Sequence, residues 1–165
     1  MWQRLPDTGG LKSMNKIEDA FKNKKAFIPF VTAGDPSLDV TRELILAMQE
    51  AGADLIEIGI PFSDPVAEGP VIQEADDRAL SAGVTTDKIF DMVDDIADKI
   101  HVPIVFMTYI NPIYVYGVEK FAKRAKACGA AGVIVPDVPF EEKEEIRGSF
   151  EAEGLVVISM VAPTS

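Results

Sequence analysis

The stretch that decides the fold is Leu55-Ile56-Glu57-Ile58-Gly59-Ile60, an apolar run with one carboxylate in its middle. Alternate side chains along a strand point to opposite faces, so Glu57 shares a face with Leu55 and Gly59 while the isoleucines share the other. A strand this apolar is typical of a parallel sheet that is covered on both faces. We therefore predict that Glu57 points into a confined interior near the carboxyl end of its strand.

A carboxylate in such a place has two interpretations. It must be paired, or its pKa rises until it holds a proton near neutral pH. Glu57 is therefore either an acid/base group or a structural residue fixed by a hydrogen bond or an arginine. Its position favours the chemical role, because perturbed carboxyls concentrate at functional sites.

The segment that follows the strand, Pro61–Pro70, is irregular and acidic. It contains three prolines, one glycine and the two carboxylates of Asp64 and Glu68. Taken alone, such a loop is more often a solvated connection. In alternating βα proteins, however, the loops at the carboxyl ends of the strands carry the ligand site, so the neighbouring Glu57 favours a functional loop.

Composition excludes several classes of protein. The chain has 165 residues, 47% of them apolar, and a formal charge of −11, which disfavours nucleic acid and anionic membranes as partners. Because the chain has one histidine and one cysteine, we expect no histidine-rich metal site and no disulfide framework. We predict that His101 is solvated and that Cys128 lies in the core. No signal peptide or apolar run of membrane length is present, so we expect a soluble, cytoplasmic protein.

The chain divides into a short leader and one domain. Residues 1–13 carry no apolar period and resemble an extension or tag, whereas the globular pattern begins at Met14. We therefore assign 14–165 to the amino-terminal portion of a single domain.

Five apolar segments alternate with helical patterns in that domain. We predict strands at 26–32, 55–60, 103–109, 132–138 and 155–161, in the order β-α-β-α-α-β-α-β-α-β. Such alternation indicates a parallel sheet with helices outside it, either an open doubly wound sheet or a (β/α)8 barrel. The absence of a Gly-x-Gly-x-x-Gly turn and the carboxylate at a strand end favour the barrel, here an incomplete one with about five strands.

Four stretches carry a resemblance to a known family. They occur in the family's order and spacing between about Met14 and Ser165, and together they resemble the tryptophan synthase alpha subunit. The stretches are Pro29–Pro36 (PFVTAGDP), Ala53–Pro65 (ADLIEIGIPFSDP), Gly69–Gln73 (GPVIQ) and Pro136–Pro139 (PDVP).

The resemblance implies a (β/α)8 TIM barrel and a carbon–carbon lyase of L-tryptophan biosynthesis. The reaction is the retro-aldol cleavage of indole-3-glycerol phosphate to indole and glyceraldehyde 3-phosphate, with no cofactor in this chain. The acid/base glutamate of the family falls on Glu57. The carboxylate that receives the indole N–H falls on Glu68, where the family usually has aspartate. The added methylene moves the carboxylate by about 1.5 Å, a displacement that can cost about 10²-fold in rate.

The resemblance also implies a substrate pocket and a partner. The apolar indole pocket maps onto Phe30, Met107, Tyr109 and Ile134. The family works as an alpha2-beta2 heterotetramer with a beta subunit that holds pyridoxal phosphate. The partner-facing loop corresponds to Pro61–Pro65, with Asp64 as the cross-subunit contact, and Asp137 supports the closed site.

The phosphate of the substrate needs a further site. In barrels of this kind it usually binds at the loops after strands seven and eight. Only about five strands are predicted in these 165 residues, so we expect the fragment alone to be inactive. The alternative function is that of a truncated, non-catalytic half barrel that at most binds the beta subunit.

Overall fold

Five parallel strands form one sheet. The computed structural model describes residues 16–22, 24–139, 142 and 144–161, and the strands lie in the sheet order β1-β2-β3-β4-β5. A doubly wound sheet reverses its direction of winding at a switch point, whereas neighbours in this sheet are always neighbours in sequence. The open doubly wound alternative is therefore wrong. The strands are Phe30–Thr32 (β1), Ile56–Gly59 (β2), Ile104–Met107 (β3), Gly132–Ile134 (β4) and Val156–Ile158 (β5).

Helices connect the strands within the described residues. Ser37 caps the second helix with its side chain, and Thr85 caps the fourth in the same way. The α-helices are Lys16–Ala20 (α1), Leu38–Glu50 (α2), Pro70–Ser81 (α3), Thr86–Asp94 (α4), Ile110–Tyr116 (α5), Val118–Ala127 (α6) and Glu144–Ala152 (α7). A 3-10 turn, Ala97–Lys99, follows α4, so this helix ends earlier than its apolar period predicts.

Helix α5 was not predicted from the sequence. It begins directly after β3 and contains Pro112 in its first turn, a position where proline removes no helical hydrogen bond. Its amino end is capped from another loop, because the Asp137 carboxylate accepts hydrogen bonds from the Ile110 backbone N–H at 3.0 and 3.2 Å. A cap that comes from 27 residues away leaves no local signal.

The sheet has two unequal apolar faces. The outer face packs against the helices in a large cluster, in which the Phe90 ring meets the Phe106 and Phe121 rings edge-on at 5.1 Å. The inner face carries a smaller cluster of Leu55, Val105 and Ile134, closed at the amino ends of the strands by Ile17 of α1. The inner face is where a TIM barrel has its lumen.

The remaining predictions concern single residues and the termini. Cys128 is buried, and burial raises the pKa of its thiol to about 11, so it is a core residue as expected. His101 is exposed, as predicted. The leader 1–13 lies outside the described residues. Within the described ranges, no helix has the length and apolarity to cross a bilayer, and no three His, Cys, Asp or Glu side chains are grouped to hold a metal.

Candidate active site

Glu57 lies on the inner face, in the middle of β2. Its register partners are Phe30 on β1 and Val105 on β3, so all three point to the lumen. The side chain is half-buried, and burial raises the pKa of its carboxyl. Within the described part of the chain, burial is the only cause of that rise, so the carboxyl is neither paired with an arginine nor neutralised by a lysine.

The next layer of the lumen is an apolar floor. Gly59, Met107 and Ile134 are in register there, one layer nearer to the carboxyl ends of the strands than Glu57. The ring of Phe30 leans over Gly59, since a Cβ built on that glycine would lie 2.6 Å from Phe30 Cζ. The structure thus brings Phe30, Met107 and Ile134 together beside Glu57, with a glycine where any side chain would displace the phenyl ring.

Tyr109 closes this floor at the carboxyl end of β3. It is two residues beyond Met107 and only 3% exposed. Its hydroxyl donates a hydrogen bond to the Glu68 carboxylate and accepts one from the Ala67 backbone N–H at 2.9 Å. Its ring lies 5.4 Å from that of Phe62. Tyr109 therefore holds both ends of the loop between β2 and α3, which we call the acidic loop (residues 61–69).

These contacts bring Glu68 to the rim of the lumen. Its side chain is half-buried, and its backbone carbonyl accepts a hydrogen bond from Gln73 Nε2 at 3.0 Å. Burial and the bond to Glu68 raise the pKa of Tyr109 to about 12, so the phenol remains a donor at neutral pH. The longer side chain of glutamate thus reaches a donor on the neighbouring strand.

The other predicted residues occupy three different environments. Pro61 is buried at the start of the acidic loop. Asp64 is exposed, and its carboxylate accepts a hydrogen bond from Ser63 Oγ at 2.5 Å. Asp137, after β4, is half-buried and caps α5 as described above. Asp64 thus faces solvent, while Asp137 ties the loop after β4 to the loop after β3.

Sequence reasoning missed Asp76. This α3 residue is 6% exposed, and burial raises the pKa of its carboxyl to about 6. The nearby backbone N–H of Phe62 opposes that rise, whereas the neighbouring Glu68 and Asp77 carboxylates add to it. A signal was present, because Asp76 shares the apolar stripe of Ile72 and Ala79 at helical spacing, as Glu57 shares an apolar strand.

A second missed contact fixes the loop after β1. Arg78 of α3 binds Asp35 in a bidentate pair, with Nε to Oδ1 at 2.8 Å and Nη2 to Oδ2 at 2.9 Å. The hydrogen bond from Arg78 lowers the pKa of Asp35. Helix α3 therefore anchors two loops at the carboxyl ends of the strands.

Cavity size does not locate this site. A cavity of about 1150 Å³ opens at the amino ends of β3, β4 and β5, where Ile17, Ile104 and Val156 line it. Another, of about 860 Å³, lies along α6 beside Lys120 and Arg124. Ligand sites of parallel αβ sheets form at the carboxyl ends of the strands, so the chemistry of Glu57, Tyr109 and Glu68 is the better guide.

The geometry suits acid/base chemistry on a flat, apolar molecule. A carboxyl with a raised pKa can both give and take a proton near neutral pH. A second carboxylate at the other end of an apolar floor can accept a hydrogen bond from a polarised N–H and stabilise positive charge there. The described residues place Glu57 and Glu68 on either side of Met107 and Ile134 in this way.

Sequence comparison identifies relatives over nearly the whole chain. The family model of the tryptophan synthase alpha chain matches residues 17–165. The tryptophan synthase alpha chain of Petrotoga mobilis is 48% identical over 92% of this chain and 59% of its own length. That of Lacticaseibacillus casei is 47% identical over 92% of this chain and 57% of its own length.

Structural comparison agrees. The crystal structure of the tryptophan synthase alpha chain from Legionella pneumophila superposes with a TM-score of 0.86 at 37% identity, covering 92% of this chain and 59% of that one. The tryptophan synthase complex from Pyrococcus furiosus gives a TM-score of 0.81 at 41% identity, covering 85% and 57%. The predicted barrel architecture is confirmed, and the chain spans less than two thirds of the length of these relatives.

Proposed function

We propose a function from one premise: this chain belongs to the tryptophan synthase alpha chain family. In this proposal the chain supplies the acid/base residues of a lyase that cleaves indole-3-glycerol phosphate into indole and glyceraldehyde 3-phosphate. The observation that carries the proposal is Glu57, a half-buried carboxyl on the inner face of a barrel sheet, whose pKa is raised by burial. Nothing in ordinary packing requires a carboxylate at that position.

The raised pKa suits the two proton transfers of this cleavage. Glu57 as an acid protonates C3 of the indole ring, which leaves the ring nitrogen as an iminium. As a carboxylate it then takes the proton of the adjacent side-chain hydroxyl, so that an aldehyde forms and the bond to C3 breaks. The electron pair of that bond returns to the ring, neutralises the iminium and releases indole, while Glu57 regains its proton.

Glu68 stabilises the intermediate in this scheme. Its carboxylate receives the ring N–H when the nitrogen carries positive charge, at the end of the apolar floor opposite to Glu57. The rings and side chains of Phe30, Met107, Tyr109 and Ile134 hold the indole flat between the two carboxylates. Tyr109 already donates to Glu68, so the carboxylate is oriented before substrate arrives.

The acidic loop is also the place for a partner. We propose that Pro61–Pro65, with the exposed Asp64, contacts a tryptophan synthase beta subunit that carries pyridoxal phosphate, in a cytoplasmic alpha2-beta2 complex. Asp137 supports the closed site through its cap on α5. The alternative function, a half barrel that only binds the beta subunit, rests on the same loop and predicts no cleavage.

The test is made in the complete gene product, because the chain spans only 59% of its Petrotoga mobilis relative. Glu57→Gln removes the titrating proton and keeps the shape, so indole release should fall by about 10²-fold or more while KM changes little. Glu43→Gln, an exposed charge removal on α2, is the control. If Glu57→Gln keeps more than about a tenth of the wild-type turnover, Glu57 is not the acid/base group.

Variants of Glu68 test the second carboxylate. Glu68→Asp should remain active, whereas Glu68→Ala should lose most of the cleavage activity, by about 10²-fold as for other electrostatic stabilisers. Unchanged activity of the alanine variant would show that Glu68 is only a loop residue.

A further inference from the structure

Two buried threonine hydroxyls have no hydrogen-bond partner in the part of the chain that the structure describes. They belong to Thr32 at the end of β1 and to Thr108 just after β3, which are 5% and 2% exposed. The buried hydroxyl of Thr41 shows the usual arrangement, since it donates to the Ser37 carbonyl at 3.0 Å and accepts from the Gly34 backbone N–H at 2.9 Å. A buried polar group without a partner lowers stability, so each one calls for a physical explanation.

The two unpartnered hydroxyls lie on opposite faces of the sheet. Because side chains alternate along a strand, Thr32 shares the inner face with Phe30, whereas Thr108 continues the outer face that Phe106 occupies. Thr108 therefore belongs to the outer core. Thr32 is in register with Gly59 at the carboxyl end of β1, the end of the sheet where ligand sites form.

The strand end that carries Thr32 is fixed on both sides. The Ala33 backbone N–H donates to the Gly59 carbonyl at 2.9 Å, and Asp35 is held by Arg78 in the bidentate pair described above. A threonine on a strand cannot bond to a carbonyl one turn earlier, as Thr41 does on its helix. The Thr32 hydroxyl is thus held on the inner face, and rigid placement of this kind suits a group that binds a ligand.

In the proposed function, a substrate that reaches from Glu57 to a phosphate site passes along β1. Thr32 lies one layer nearer to the carboxyl ends of the strands than Phe30, the register partner of Glu57. In TIM barrels the phosphate usually binds at the loops after strands seven and eight, and closure of the barrel places strand eight beside strand one. The side chain of indole-3-glycerol phosphate then leads from the ring carbon at Glu57, across the Phe30 ring, to the end of β1.

We propose that the Thr32 hydroxyl binds the second hydroxyl of the substrate side chain, which is one carbon further from the ring than the hydroxyl that Glu57 deprotonates. The inference rests on the proposed function and adds a residue that recognises the substrate. Thr32 is 5% exposed although its hydroxyl oxygen is covered, so a turn about χ1 between staggered positions brings the oxygen to the ligand. Because the second hydroxyl takes no part in bond breaking, Thr32 contributes binding and orientation and transfers no proton.

The test is a double-substitution cycle in the complete gene product. One change is Thr32→Val, which replaces the hydroxyl by a methyl group, and the other replaces the second hydroxyl of the substrate by hydrogen. With the full substrate, Thr32→Val should lower kcat/KM for indole release by about tenfold, as expected for one lost hydrogen bond. The deoxy substrate has no oxygen for Thr32 to bind, so with it the variant should differ from the wild type by less than about twofold.

Thr108→Val is the matched control, because it makes the same change at a buried, unpartnered hydroxyl on the outer face. It should leave kcat/KM unchanged for both substrates. Both valine variants should unfold at the urea concentration of the wild type or slightly above it, since neither loses a hydrogen bond within the protein. Thr32→Ser keeps the hydroxyl and should retain most of the wild-type kcat/KM, even where the lost methyl group lowers its unfolding midpoint.

The proposal is overturned if Thr32→Val lowers kcat/KM equally for the full and the deoxy substrate, or if it leaves cleavage of the full substrate unchanged. A lower urea midpoint for Thr32→Val than for Thr108→Val would also overturn it, because the hydroxyl would then bond to the protein itself. If the wild type releases no indole from the full substrate, the proposed function fails and this inference fails with it. If the wild type does release indole, each of the earlier results contradicts the inference alone.

Discussion

The two faces of the sheet use the same five strands in opposite ways. The outer face is covered by helices and is apolar, with Phe106, Ile56 and Ile58 fully buried. The inner face is partly open and carries Glu57 between half-buried Phe30 and buried Val105. Since side chains alternate along each strand, Ile56 and Ile58 pack into the outer core, while Glu57 between them faces the lumen, where it can act on a substrate.

This difference separates stability from function within one strand. The outer face gains free energy from the burial of complete side chains. The inner face gains less, because Glu57 is a carboxyl whose burial raises its pKa and Gly59, under Phe30, has no side chain to bury. If this division holds, substitutions on the two faces should have different effects.

The largest effect concerns the assembly of the 165-residue polypeptide itself. Within the described residues, β1 and β5 each pair with a strand on one side only, and the inner face beside them is half-buried. Unpaired strand edges and open apolar surface favour association, so light scattering should show oligomers and not a monomer. Met160→Lys, next to β5, should reduce the association, and Val71→Lys on the exposed part of α3 should not. A sharp monomer peak for the wild type would contradict the edge argument.

Neighbouring residues of β3 offer a direct comparison of the two faces. Phe106 points to the outer core and is fully buried, whereas Met107 points to the lumen and is half-buried. In the complete gene product, Phe106→Ala should lower the free energy of unfolding by about 3–5 kcal/mol, and Met107→Ala by only about 1 kcal/mol. Urea denaturation measures both. Equal losses would show that the inner face packs as tightly as the outer one.

Much of this architecture could be predicted from the sequence because its signals are local. Each strand is an apolar run between turn residues, and Glu57 stands out because a carboxylate interrupts one of them. The predicted strands are longer than the observed ones, since their apolar flanks continue into the loops. Helix α5 was missed because its cap, Asp137, comes from the next βα unit.

The candidate site was less predictable where it depends on contacts across the fold. The hydrogen bond between Tyr109 and Glu68 joins residues 41 positions apart, and the sequence around neither residue predicts it. Asp76 carried a usable signal, a charge on an apolar helical stripe, but the carboxylates of the proline-rich acidic loop beside it carried a stronger one. Which of these carboxylates is buried depends on how the helix and loop pack against the sheet, and sequence patterns do not contain that information.

Two tyrosine–glutamate hydrogen bonds sharpen the contrast between the rim of the lumen and the outer surface. Tyr109, 3% exposed, donates to Glu68, whereas Tyr114 of α5, 47% exposed, donates to Glu145. Tyr109→Phe should lower the free energy of unfolding of the complete gene product by about 1 kcal/mol, because a buried donor to a carboxylate is lost. Tyr114→Phe should change it much less, as solvent replaces the bond. Thermal or urea unfolding compares the two, and an equal loss would show that burial adds nothing at the rim.

The smallest effect is a change in pH dependence caused by Glu57. Burial raises the folded-state pKa of Glu57 above its ordinary value. The contribution of this group to the free energy of unfolding is therefore fully present below the ordinary pKa and is lost as the pH rises through the raised one. Glu57→Gln cannot ionise, and the difference in unfolding free energy between variant and wild type should therefore shift in favour of the variant from pH 4 to pH 7. The shift is small because a half-buried carboxyl keeps part of its hydration. Glu43→Gln, which removes the same charge from exposed α2, corrects for the change in net charge. A variant that is less stable relative to the wild type at pH 7 than at pH 4 would mean that the ionised Glu57 is stabilised in the folded protein, and the inner face would then hold a structural ion and not an acid/base group.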